Sequence, residues 1–426
     1  MNVHRKFPEL DRRRFLQSLL CGAASSAAIS CRHLPEPEGY QSGAPIQRLL
    51  FVSNGRSFIM NSDGSGAGRF DFDMPNQVTW QPSAFFPDGR RVLFLSMEER
   101  RDGPGRPFET FYTQTPTHLW VYDLETESLW EVATRDRMAV FYTPALILHE
   151  GRLLVQVVRD GVGQLFTMNL DGTEARPFTQ SGEGLPYGCN LDPDGRRIAF
   201  HLASPSGYQI WTSDLEGGNR TLIAGDANHL YFGPVWSPDG QWLTYQACRY
   251  REDPGHDWAD VCVNRADGSD PRFLTQGQAH WFGATYGGPD QHGGGSNMLS
   301  WTRDGAILFA RKLPGSKVPW EYQTNRPDTD HFNREYKPEL ATGGTEICRL
   351  NPATGKITQI SAGGPGVWDC RASESPDGQQ IVFCRAETGH MPGIWSMKPN
   401  GTEAHLLTPS FAENGADHPR WLPLRA

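Results

Sequence analysis

Apolar and polar positions alternate along this chain in short runs that meet a Pro-Asp-Gly turn or a relative of it, and the phrase returns six times. It reads FFPDGRRVLFLS at 85–96, LDPDGRRIAFHL at 191–202, WSPDGQWLTYQ at 236–246, WTRDGAILFAR at 301–311, ESPDGQQIVFC at 374–384 and, in degenerate form, LILHEGRLLVQVV at 146–158. Asp caps its local backbone and Gly accepts positive φ, so each phrase predicts a tight turn. The period-two alternation that follows predicts a strand sending every second side chain into a core. A further strand comes next and ends in a second turn. This one occurs seven times: FIMNSDGS from 58, LWVYDLET from 119, LFTMNLDGT from 165, IWTSDLEGG from 210, VCVNRADGS from 261, ICRLNPATG from 347 and IWSMKPNGT from 394. A short fourth strand, such as ARPFT or DPRFLT, closes each repeat.

Six opening strands stand against seven third strands. The missing one is at the far end of the chain: ADHPRWLP (416–423) begins like a repeat and stops, while QRLLFVSNGRSFIMNSDGS (47–65) lacks an opening strand. The expectation is an all-β fold, a seven-bladed β-propeller of four-stranded blades over 47–426 that is closed by the C-terminal strand. Recurrence every ~45 residues fits propeller repeats, and closure protects the sheet edges. The repeats over about 47–423 resemble those of TolB-type propellers. That resemblance implies the fold. It does not imply membership of the Tol envelope machinery, because nothing here corresponds to the extra α/β domain that TolB carries before its propeller.

The N-terminus has a different character. DRRRFLQSLLCGAASSAAISC (11–31) places Arg12 and Arg13 before Arg14, Phe15 and Leu16, then a short apolar stretch of small residues, which is the twin-arginine export pattern. The stretch is shorter than the ~20 residues a transmembrane helix needs. Residues 1–31 therefore read as an export signal, 32–46 as a linker, and the location as periplasmic or extracellular. AISC at 28–31 resembles a lipoprotein cleavage box with Cys31 as lipid acceptor; simple cleavage is the alternative. A net charge of −9 and a pI near 5.8 argue against a nucleic-acid partner. Six cysteines remain beyond the leader. Cys370 and Cys384 flank one turn almost symmetrically, Cys248 and Cys262 bracket a loop, and both disulfides and buried thiols are open readings.

Long insertions at 97–117, 247–258, 276–298 and 312–344 all fall between second and third strands or between repeats, which puts them on one face. Residues just before each opening strand look down the axis on that face. They make Tyr187, His229, Tyr231, Trp281, Trp368 and Asp369 the candidate ligand-binding set. His292, His418 and Arg371 are the candidate catalytic groups, and His280, His292, Asp417 and His418 the candidate metal ligands, for a divalent ion such as Mn, Ca or Zn. No G-x-S-x-G elbow, phosphate loop or dinucleotide fingerprint occurs.

YREDPGHDWADVCVNRADGSDPRFL (250–274), with HPRW at 418–421, is similar to blades of oligogalacturonate lyases. The resemblance implies a metal held by inward histidines and cleavage of uronates by β-elimination. Of that family's closing H-x-H-P motif only His418 carries over, and SNMLSW (296–301) offers no histidine in register for a further metal ligand. Three readings follow: a propeller binding a polar small molecule or oligosaccharide, a metal-assisted uronate lyase, or a scaffold for a protein partner. For export the test is direct. Replacing Arg12 and Arg13 by Lys leaves the precursor unprocessed in the cytoplasm, and efficient processing of that variant refutes the twin-arginine route.

Overall fold

The computed structural model describes residues 47–69, 77–79, 84–98, 117–138, 146–148, 151–204, 207–249, 258–285, 293–322 and 334–423. The chain is all-β, 52% strand and 2% helix. Asp417–Trp421, Arg48–Ser53, Arg56–Asn61 and Gly68–Arg69 form an antiparallel four-stranded sheet. Two five-stranded sheets follow, one spanning Gln77–Val78 to Ser128–Val132 and one spanning Arg137–Met138 to Arg176–Pro177. Their opening strand is interrupted, so that two short pieces pair in turn with one long second strand.

Four more antiparallel groups of this kind cover 185–224, 230–273, 279–359 and 367–406, joined into one hydrogen-bonded sequence of strands. The insertions at 276–298 and 312–344, expected as loops, hold hairpins of their own: Phe282–Thr285 with Gly293–Ser296, and Trp320–Tyr322 with Arg334–Tyr336.

Each Pro-Asp-Gly phrase makes the turn its composition demands. In WSPDG the Gly240 N–H donates to the Ser237 carbonyl (2.9 Å), and Asp239 Oδ1 accepts from the Gln241 N–H (3.0 Å) and the Ser237 hydroxyl (2.5 Å). ESPDG repeats the arrangement with Ser375, Asp377, Gly378 and Gln379. The strands behind these turns bury Leu243 and Tyr245 in one group and Ile381, Val382 and Phe383 in another.

The tryptophan of the phrase ties neighbouring groups together. Trp236 Nε1 donates to the Asn190 carbonyl (3.1 Å) and Trp301 Nε1 to the Val235 carbonyl (3.0 Å), each reaching the equivalent residue of the preceding group. Trp421 Nε1 donates to the Ser373 carbonyl (3.2 Å) in the same way. The C-terminal strand thus stands to the 367–406 group as each repeat stands to the one before it. It also pairs with the N-terminal strand, Leu49 opposite Trp421 and Leu50 opposite Arg420.

The six cysteines beyond the leader are buried thiols. Cys370 and Cys384 are cross-strand partners, whereas Cys262 lies opposite Tyr245 rather than Cys248.

Because Asp417–Trp421 supplies an edge partner that nothing else in its sheet can replace, deleting 416–426 abolishes cooperative unfolding. A truncated protein that melts like the full chain, followed by circular dichroism, refutes this role for the strand.

Candidate functional site

The opening strands of successive groups share a defect that aims side chains. Their pairing slips between Tyr187 and Asn190, between Phe232 and Val235, between Cys370 and Ser373, and opposite Leu50–Val52 in the closing strand. The bulged residue has positive φ every time: Gly188 (65°), Gly233 (66°), Arg371 (54°) and His418 (58°). At Gly188 a Cβ would come within 2.8 Å of His201 Nδ1, and at Gly233 within 2.8 Å of Met298 Sδ, the far end of a flexible side chain. Arg371 and His418 adopt the same backbone despite the steric cost to an L-residue.

Asn297 stabilises the unusual conformation at Arg371. Its Oδ1 accepts the Arg371 N–H (2.8 Å), its Nδ2 donates to the His280 carbonyl (2.6 Å), and its own N–H donates to the Trp281 carbonyl (2.7 Å). The base of the 276–298 insertion is thereby fastened to the bulge that carries Arg371.

Arg371 and Asp417 form a buried ion pair, their side chains 7% and 10% exposed. Arg371 Nη1 donates to both Asp417 oxygens (3.0 and 2.9 Å) and lies 3.7 Å from Cys370 Sγ. Asp417 Oδ1 also accepts from the Cys384 thiol and the His418 N–H, both at 2.6 Å. His418 Nδ1 is 3.4 Å from Asp417 Oδ2, and its ring is 23% exposed, the most accessible member of the cluster.

Electrostatics follow from this packing. Burial, then the Arg371 guanidinium, pushes the His418 imidazole down to about 4 against the pull of Asp417. Burial works to raise the Asp417 carboxyl, but Arg371, with His418 and the Cys384 thiol, outweighs it and holds the group at about 2. Burial alone would lower Arg371; the Asp417 carboxylate reverses this and raises it. At neutral pH the cluster is a guanidinium, a carboxylate and a neutral imidazole.

The other candidate residues are placed differently. Asp369 lies on the same strand as Arg371, but its fully buried carboxylate takes a bidentate pair from Arg385 (2.7 and 2.8 Å) and a hydrogen bond from Ser361. His280 is fully buried between Trp258 and Trp368, with ring centroids 5.3 and 5.8 Å away. Trp281 packs on Phe232, and Trp368 Nε1 donates to the Thr388 hydroxyl. Tyr187 is buried against His201. His229 and Tyr231 both bond Asp226, and the His229 ring faces Phe273 of an outer strand. These aromatic and imidazole side chains pack within and between the strand groups; Arg371, Asp417 and His418 are the expected residues that the fold brings together. His292 lies outside the described residues.

Gly188, Gly233 and Asn297 escaped the sequence reading, and Cys370 and Cys384 were singled out only as a pair across a turn, not as neighbours of the ion pair. A signal existed, since Gly188, Gly233 and Arg371 each stand five residues before the proline of a Pro-Asp-Gly turn.

The depressed His418 gives a sign to the acid response. Its native pKa, about 4, lies below the unfolded value of 6.5, so the unfolded chain takes up the proton first and stability is lost as pH falls through that window. The full loss is on the order of 3 kcal/mol at 1.36 kcal/mol per pKa unit. Urea unfolding across this range should show the slope flattened in His418→Asn, whose side chain does not titrate and which tolerates positive φ. An unchanged slope contradicts a buried neutral imidazole.

No family model matches the chain, and no curated protein does. Among solved structures it is similar to an oligogalacturonate lyase in complex with manganese, at 16% identity over 85% of each chain with a TM-score of 0.51. It is similar also to a puromycin-hydrolyzing peptidase of Mycobacterium tuberculosis, at 11% identity and a TM-score of 0.53; 85% of this chain is covered, and it spans 51% of the peptidase's length. A structure assigned as TolB from Agrobacterium tumefaciens aligns over 90% of this chain and 100% of its own at 13% identity, with a TM-score of 0.40. Among the described residues of this chain no three or more His, Cys, Asp or Glu side chains form a metal-binding group. Asp417 in particular has both oxygens engaged by Arg371. The likeness is one of fold: an all-β chain of the propeller type.

Proposed function

We propose that the protein is an exported, seven-bladed propeller, closed by its C-terminal strand, that binds a polar ligand, an oligosaccharide, at its axial face. Among the described residues no helix is long and apolar enough to cross a membrane. Residence outside the cytoplasm rests on the leader at 11–31. One observation carries the binding reading. At the bulge where two groups have glycine, Arg371 and His418 present a guanidinium and a neutral imidazole, held in costly backbone geometry beside an insertion. Strained residues concentrate where a site needs them. Polar groups of this kind, fixed and partly desolvated, orient a hydroxyl-rich ligand.

A second reading has one observation in its favour. A neutral imidazole beside a guanidinium supplies the base and the carboxylate partner that β-elimination from a uronate requires. Incubation with oligogalacturonides, followed by the absorbance of an unsaturated product, decides it: product formation establishes the lyase, and its absence with binding retained leaves the binding protein.

Titration calorimetry with a panel of acidic and neutral oligosaccharides tests the leading reading. His418→Ala is expected to weaken the ligand that binds by at least about tenfold, or ~1.4 kcal/mol, with the urea midpoint at neutral pH little changed. Full affinity in that variant removes His418 from the site.

A further inference from the structure

Two arginines of this protein meet a carboxylate side-on, and Arg371 does not. Arg90 presents its Nε–Nη2 edge to Asp123, Nε at 2.8 Å from Oδ1 and Nη2 at 2.5 Å from Oδ2. Arg385 offers the same edge to the two oxygens of Asp369. Arg371 instead spends only Nη1 on Asp417. Among the described residues its Nε and Nη2 have no hydrogen-bonding partner, although the side chain is only 7% exposed. Two buried N–H donors of a charged group left in this state carry an uncompensated desolvation cost, and Arg371 bears this together with a left-handed backbone.

We infer that the Nε–Nη2 edge of Arg371 is the binding site for a single carboxylate of the ligand, taken side-on through two parallel hydrogen bonds and without an intervening metal ion. The guanidinium fork matches a carboxylate in spacing and direction, and the Arg90–Asp123 and Arg385–Asp369 pairs display that match within the same fold. Charge disfavours a dianion. Asp417 already balances Arg371 and His418 adds no second cation, so a carboxylate brings one net negative charge into the cluster and a dianionic phosphate brings two. The positive pole that a bound metal would give such a site is here a side chain, and its counter-carboxylate, Asp417, is occupied in holding it. The inference deepens the binding reading above by naming an acidic ligand and rests on the same axial site.

The probe is sodium formate, added to the full chain after passage over a chelating resin, with sodium chloride and sodium phosphate as matched controls at equal ionic strength. Formate is expected to raise the melting temperature of the wild type in a saturable manner, with no change on adding manganese. Arg371→Lys keeps a charge but has no edge, and is expected to lose at least about tenfold in apparent formate affinity. The inference is overturned by a wild type that does not respond, by an undiminished response in Arg371→Lys, by a response that needs manganese, or by phosphate outcompeting formate. Should Arg371→Lys fail to fold, a crystal structure of the wild type grown in acetate decides: acetate on Nε and Nη2 supports the assignment, and a bare edge refutes it. If formate binds at Arg371 while no oligosaccharide binds, the carboxylate site stands and the oligosaccharide reading falls.

Discussion

The strands Arg48–Ser53 and Asp417–Trp421 come from opposite ends of the sequence and lie side by side in one sheet. Much of the candidate site depends on that pairing. The slip opposite Leu50–Val52 gives His418 its left-handed backbone, and the same strand brings Asp417 against Arg371 of the 367–406 group. Trp421 anchors it from the other side through the Ser373 carbonyl. A cross-strand ladder, a tryptophan hydrogen bond and an ion pair thus act on five residues, and the polar cluster cannot be assembled without them.

The architecture was legible because its code is local. A proline, an aspartate and a glycine in order make a turn through their own backbone, and alternation after the turn sets which side chains are buried, so repetition exposes the groups one by one. The excess of one third strand over the opening strands pointed to pairing of the two chain ends, and the register of Leu49 with Trp421 agrees with it. The hairpins inside the insertions were not legible: GGGS at 293–296 has none of the β-branched or aromatic residues that mark a strand, yet it pairs with Phe282–Thr285.

The site was legible only in part, for a physical reason. Sequence indicates which residues stand near the axis, but not where a side chain spends its hydrogen bonds. Asp369 and Arg371 are two residues apart on one strand, yet Asp369 is consumed by Arg385 from the neighbouring strand while Arg371 turns to Asp417 from the chain terminus. The bulge at Arg371 breaks the alternation on which the sequence argument relied. Asn297 had no local signature at all, because its role is to accept a backbone N–H from a residue 74 positions away.

The pairing of the two chain ends also constrains the order of events at synthesis. Residues 417–421 leave the ribosome only after every residue between them and Arg48–Ser53, so the edge of that strand waits for all the intervening strands to be made before it is covered. During that interval an apolar strand containing Leu49, Leu50 and Phe51 exposes unsatisfied N–H and C=O groups, the condition under which strands join the wrong partner. The separation of the contact makes its formation slow as well, since the loop to be closed is nearly the whole chain. Such a nascent chain gains from having the open edge shielded until its last strand is in place.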